Sequence, residues 1–223
     1  MKDENISKEE LLIQIDKKTK AMIKLGAQLN AITPNVEIFD MFFIAIVNRT
    51  VNLNSAFSSL MRNNNFIAAA PLIRINLDSV LRMYASTCSE FSRNIFAEKV
   101  LSGERIDRMK NHEGKMKLHD SYLSNEISKV EGMDWVKEIY GVGSSFVHFS
   151  DAIIFSSRKV GCEEDRTVNF TIGIHDCFIE ESEKFGAIIW MNKIIDAIII
   201  QCQLWMYEKC QKYDFNYEDL NKI

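Results

Sequence analysis

Two sets of side chains in this sequence are spaced so that they could do chemistry. Arg74, Asp78 and Arg82 recur every fourth residue, so on a helix they stand along one face. Tyr140, Ser144 and His148 repeat the same interval further on. A planar guanidinium suits phosphate recognition, and histidine is the side chain best placed to exchange a proton near neutral pH. Facing one another, the two sets would form a site. Arg74, Asp78 and Arg82 would bind an anionic ligand, with His148, Arg74, Tyr140 and Ser144 as the catalytic candidates.

The plainer reading of both sets is structural: an ion-pair ladder that fixes helix register, and a hydrogen-bonded core histidine. On a surface such a ladder contributes only about 0.3–0.5 kcal/mol per pair. Here Leu72, Ile73, Ile75, Leu77, Val80, Leu81 and Met83 cover most of the remaining circumference. A helix apolar nearly all round is buried, and buried charges need partners. The expectation is therefore that Arg74 and Asp78 satisfy each other, with the Tyr140 stripe as the polar neighbour.

The elements that must position these residues are helical. Ser7-Lys8-Glu9-Glu10 is a capping box, and Leu11, Ile15, Met22, Leu25 and Leu29 follow at helical spacing, which predicts a first helix to about residue 31. Thr33-Pro34 reads as an N-cap with Pro at the first helical position, opening a second helix that runs to Arg62. Asn63-Asn64-Asn65 breaks it. The third helix carries residues 70–85 and ends near Cys88, with Pro71 marking its start or a kink. Further helices are expected over 89–101, closed by Gly103, over 115–130, and over 133–150 despite Gly141 and Gly143. These two glycines permit close approach of another backbone or reflect tight helix packing. Residues 104–114 read as a charged connector.

Residues 153–157 and 167–172 are short and rich in β-branched and aromatic types, with a polar 161–166 between them, so a β-hairpin is expected over 153–173. Residues 178–211 close the fold as a long helix, core or homodimer face, and 212–223 read as a fraying tail. The fold class is all-α: a multi-helix bundle in one domain over 1–223, with a small β-hairpin insertion before a long C-terminal helix.

Composition narrows the function classes. The chain has 223 residues, 2 Pro, 9 Gly and a formal net charge of −4, so it carries no global basic field for nucleic acid and little of the punctuation of a turn-rich β fold. Five cysteines, an odd number without a Cys-x-x-Cys pair, and an N-terminus without an apolar signal region lead us to expect a cytoplasmic protein. Neither apolar run, 39–47 or 187–200, is expected to cross a membrane: the first is short, and the second holds Asn192, Lys193 and Asp196. His112 and His119 fall in or beside the charged connector and read as solvated. His175-Asp176-Cys177 with Cys162 fits no standard zinc spacing, and no metal or cofactor is expected. Glycine-rich phosphate loops, nucleophile elbows and His-Glu-x-x-His motifs are absent.

The pairing of Pro71-Leu-Ile-Arg74-Ile-Asn-Leu-Asp78 with Tyr140-x-x-x-Ser144-x-x-x-His148-Phe-Ser150 resembles an uncharacterised group of bacterial helical proteins, over roughly residues 69–205. That resemblance implies a central Arg-bearing helix, a later Tyr–Ser–His helix, a small hairpin and a long last helix. More distantly, the chain is similar to the HEPN helical domains. Many of these are metal-independent ribonucleases of toxin–antitoxin and anti-phage systems, with an Arg followed, after four to six intervening residues, by a His on one helix. Here the corresponding stretch before His148 holds Gly141, Val142 and Gly143, and Arg74 or Arg82 would have to supply the charge from a neighbouring helix. Two function classes follow. One is a helical interaction or regulatory protein, in stress or phage defence, working with a protein partner or as a homo-oligomer. The other is a HEPN-like ribonuclease or nucleotide-binding protein, with RNA or a nucleotide as ligand and His148 and Arg74 at its centre.

Overall fold

The structure, a computed structural model, describes residues 6–148, 150–161 and 167–222, with the Ala152 side chain left aside. It is an all-α bundle with one two-stranded hairpin inserted before the last long helix. Helix α1 (Lys8–Ile32) starts at the expected capping box: Ser7 Oγ accepts from Glu10 N at 3.2 Å, and Glu10 accepts from Ser7 N at 2.7 Å. Helix α2 (Ile38–Arg62) does not start at Thr33-Pro34. Thr33 Oγ1 instead accepts from Asn35 N in a short turn, while Asp40 accepts from Glu37 N at 2.8 Å and makes Glu37 the N-cap.

Helix α3 (Phe66–Cys88) begins a full turn before Pro71, because Asn65 caps it by accepting from Ala68 N. Pro71 therefore sits inside the helix and removes one intrahelical hydrogen bond near its start. Helix α4 (Arg93–Leu101) is shorter than expected, since Ser89 is drawn into a bridge with Asn111. It closes on Gly103 at φ +93°, where Glu104 N donates to Lys99 O in the six-to-one bond of a Schellman end. The charged connector holds a single short 3-10 turn, Ile106–Arg108.

Helix α5 (Asp120–Ile127) occupies only the second half of the stretch read as a helix over 115–130. Asn111 Oδ1 accepts from Lys115 N and Met116 N, and Leu118 N donates to Met109 O, so 115–119 is held extended against the connector. Helix α6 (Trp135–Val147) follows, then α7 (Asp151–Ser156). The first half of the expected hairpin thus continues as helix, with Asp151 in its first turn complementing the helix dipole. The strands are β1 (Arg158–Val160) and β2 (Val168–Phe170), antiparallel with Val160 opposite Val168. The polar turn between them, including Cys162, lies outside the described residues.

Helix α8 (Glu181–Lys212) packs on α1 and α3, and α3 is also covered by α2, α5 and α6. By length and mean hydropathy (1.5) α8 could cross a membrane, but 56% of its apolar window is buried inside the bundle. The tail does not fray: Tyr217–Lys222 forms a 3-10 helix, Leu220 is buried, and Gln28 Nε2 donates to Leu220 O at 2.5 Å.

Candidate functional site

Helices α3 and α6 bring the two sequence stripes together, and Gly143 sets their spacing. A Cβ built on Gly143 would lie 3.1 Å from Arg74 Cβ, so the bare glycine lets α6 rest directly on α3. At that distance the Arg74 guanidinium lies 4.5 Å from the centroid of the Tyr140 ring, a cation–π contact. Gly141 meets nothing within 4 Å at its Cβ position. The two glycines should therefore respond oppositely. Gly143→Ala is expected to destabilise by about 1 kcal/mol or more, because the contact is a Cβ that cannot swing away. Gly141→Ala is expected to stabilise by about 0.5–1 kcal/mol through helix propensity. Denaturant midpoints check both, and equal responses would remove Gly143 as the spacer.

The charged residues do not pair as the sequence suggested. Arg74 and Asp78 are not mutually satisfied. Arg74 Nη2 donates to Asp120 Oδ2 at 2.8 Å, a residue of α5. Asp78 accepts from Arg82 on its own helix at 2.7 Å and from Arg49 of α2 at 2.8 Å. Arg82 also reaches Asp120 at 2.5 Å. The result is a continuous chain, Arg74–Asp120–Arg82–Asp78–Arg49, across three helices. The i+4 reach on α3 is real only for Asp78 and Arg82, because Arg74 turns toward Tyr140 and the start of α5. Burial raises the Asp120 pKa, but the Arg74 hydrogen bond and the charges of Arg82 and Arg74 outweigh it and hold the carboxyl below its usual range. One guanidinium nitrogen, Arg82 Nη1, is buried without a hydrogen-bond partner.

Beside this chain lies a cleft of about 320 Å³ lined by Arg49, Arg74, Ile75, Asp78, Tyr140, Ser144, Val147 and His148. His148 caps the C-terminus of α6 and is exposed at the cleft. Ser144 lines it as well, but its hydroxyl donates to Tyr140 O at 2.7 Å and so acts as a helix back-bond. On the other side of Tyr140 a larger cleft of about 540 Å³ is lined by Arg82, Arg105, Asp107, His119, Asp120 and Ser121. Sequence reasoning missed Arg49 and Asp120. Arg49 is a lone cation within a largely apolar run, and that was its one available signal. Asp120 follows an extended loop whose geometry depends on Asn111, so no periodicity marks it.

Among the described residues, the other histidines and the cysteines lie outside the His148 cleft. His119 is exposed, and His112 Nε2 donates to Thr87 O at 2.7 Å on the surface. His175 Nδ1 meets Asn63 O at 2.9 Å, and Cys162 lies outside the described residues. Among the described residues no group of three His, Cys, Asp or Glu could hold a metal ion. Burial pushes the Cys88 thiol up to about 11 and the Cys202 thiol up to about 12, so neither is a ready nucleophile. No family model, curated protein or solved structure matches the chain.

Proposed function

We propose that the protein binds single-stranded RNA by its phosphodiester backbone in the His148 cleft and cleaves it there. The observation that carries this reading is the exposed His148 imidazole at the same polar cleft as Arg49 and Arg74. A sealed, fully buried histidine would have favoured a purely structural cluster.

In the proposed reaction the 2′-hydroxyl of the bound nucleotide attacks phosphorus and gives its proton to His148. The bond from phosphorus to the 5′ oxygen breaks, that oxygen takes a proton from water, the hydroxide left behind takes the proton from His148, and a 2′,3′-cyclic phosphate remains. The charge that builds on the phosphoryl oxygens calls for a fixed cation. Arg74, held by Asp120 and by the Tyr140 ring, is preorganised for that role, and Arg49, paired with Asp78, is the more exposed second cation. As the resemblance to HEPN domains implies, the step needs no metal.

A competing reading, a helical interaction or regulatory protein, draws on the same ion-pair chain: each of its three arginines already has a carboxylate partner. The discriminating assay is cleavage of unstructured RNA oligonucleotides by the purified chain in the presence of a chelator. His148→Gln is expected to lower the rate by about 100-fold or more, the usual share of a positioned acid or base, with an unchanged melting temperature. No cleavage by the parent protein, together with a large stability loss in His148→Gln, would assign His148 to structure and leave the interaction reading standing.

A further inference from the structure

The hairpin and the segment that follows it present apolar side chains that have no cover among the described residues. Val168, Phe170, Ile172 and Ile174 alternate in sequence and are all exposed: Phe170 and Ile174 by 73% and 72%, and Ile172 completely. Val160 stands opposite Val168 in the antiparallel pair and extends the same face. Together these side chains leave on the order of 600 Å² of surface in water, at the top of the range for the largest apolar patch of a monomer. The two-stranded sheet has no third strand among the described residues.

The same chain carries a groove with complementary chemistry. Between α3, α6 and α8 lies an apolar cleft of about 320 Å³ walled by Phe66, Ile73, Phe146, Ala187 and Trp190. Stripe and groove are neighbours: Asp176, two residues past Ile174, accepts from the backbone N–H of Phe66, which is also a groove wall. A two-fold contact needs donor and acceptor features on one side of the molecule, because each copy must offer both. The charges also agree, with exposed Lys159 on the hairpin and exposed Glu183 at the groove.

We infer that the hairpin stripe of one copy seats in the α3–α6–α8 groove of a second copy of this chain, and reciprocally, to form a symmetric dimer. Two stripes and two grooves would bury roughly 1,200 Å² or more, which reaches the size of a specific interface. Gly186 lines the groove, and its Cβ position meets nothing within 4 Å, so a larger side chain there would fill the groove without disturbing the helix.

Sedimentation velocity on the full chain at micromolar concentration tests this. The parent protein is expected to sediment as a dimer. The double change Phe170→Asp with Ile172→Asp is expected to raise the dimer dissociation constant by about 100-fold, and Gly186→Leu by at least about 10-fold, with unchanged helical circular dichroism and melting of the monomer. Glu183→Lys should weaken the dimer, and adding Lys159→Glu should restore it. A parent protein that stays monomeric, or a dimer indifferent to the Phe170/Ile172 change, overturns the inference. Should Gly186→Leu fail to fold, the hairpin variants and the charge swap decide alone.

Discussion

Asp40→Ala is expected to destabilise the protein by about 3–5 kcal/mol, the usual consequence of leaving one member of a buried ion pair without its partner. Asp40 and Lys209 are 6% and 1% exposed at their side chains and meet at 2.5 Å, joining the start of α2 to the end of α8. Asp40 also accepts from Trp205 Nε1 at 2.9 Å and from Glu37 N at 2.8 Å, so one carboxylate serves a core indole, a buried ammonium and a helix start. Removing it strands the ammonium and two N–H donors at once. Replacing both charges by apolar residues of matching size, Asp40→Leu with Lys209→Met, should lose far less than the single change, because no uncompensated charge remains. A double-mutant cycle in denaturant reads this directly. A single-variant loss below about 1 kcal/mol would mean that water reaches Lys209 when Asp40 is gone.

Asp120→Ala is expected to lower stability by about 2–3 kcal/mol, because both Arg74 and Arg82 lose a charge-assisted hydrogen bond. The site is only partly buried, so the effect falls below that of Asp40. The same carboxylate should leave a mark on acid stability. Its pKa in the folded protein lies below the ordinary 3.8, so its contribution is fully present above about pH 4 and disappears as pH falls through the folded value. Between about pH 4 and pH 2 the parent protein should therefore lose more stability than Asp120→Asn, which has no proton to take up. Parallel slopes for the two proteins would show that the arginines find other partners. If Arg74 is released from Asp120, its cover on the Tyr140 ring should loosen as well, and the cleft beside His148 would change shape.

The helical architecture was legible because its signals are local. The Ser7–Glu10 capping box, the Leu11 to Leu29 periodicity and the Gly103 stop each act within a few residues, and each is found where the sequence placed it. The juxtaposition of Arg74 with Tyr140 was also legible, from two stripes of equal spacing. What the sequence concealed depends on pairings between distant segments. Asp120 meets Arg74 and Arg82 across separations of 46 and 38 residues, and no window of residues around Asp120 contains that information. The Asp40–Lys209 pair was hidden for the same reason: two ordinary charged residues, on helices that read as separate, become a buried pair only when α8 lies against α2. The stretch 153–157 misled because β-branched residues raise strand propensity, a preference that a helix continuing the turn after Ser150 overrides.

The packing of α8 on α1 also fixes an order of events during synthesis. Asn192 Nδ2 donates to Leu11 O at 3.1 Å, Lys18 pairs with Asp196 at 2.8 Å, and the buried face of α1 lies against α8. At usual elongation rates, α8 leaves the ribosome on the order of 10 s after α1. Through that interval the face of α1 that α8 covers has no helix against it. A chain that stops before residue 181 lacks the helix that covers this face of α1, and the apolar surface shared by the two is left in water.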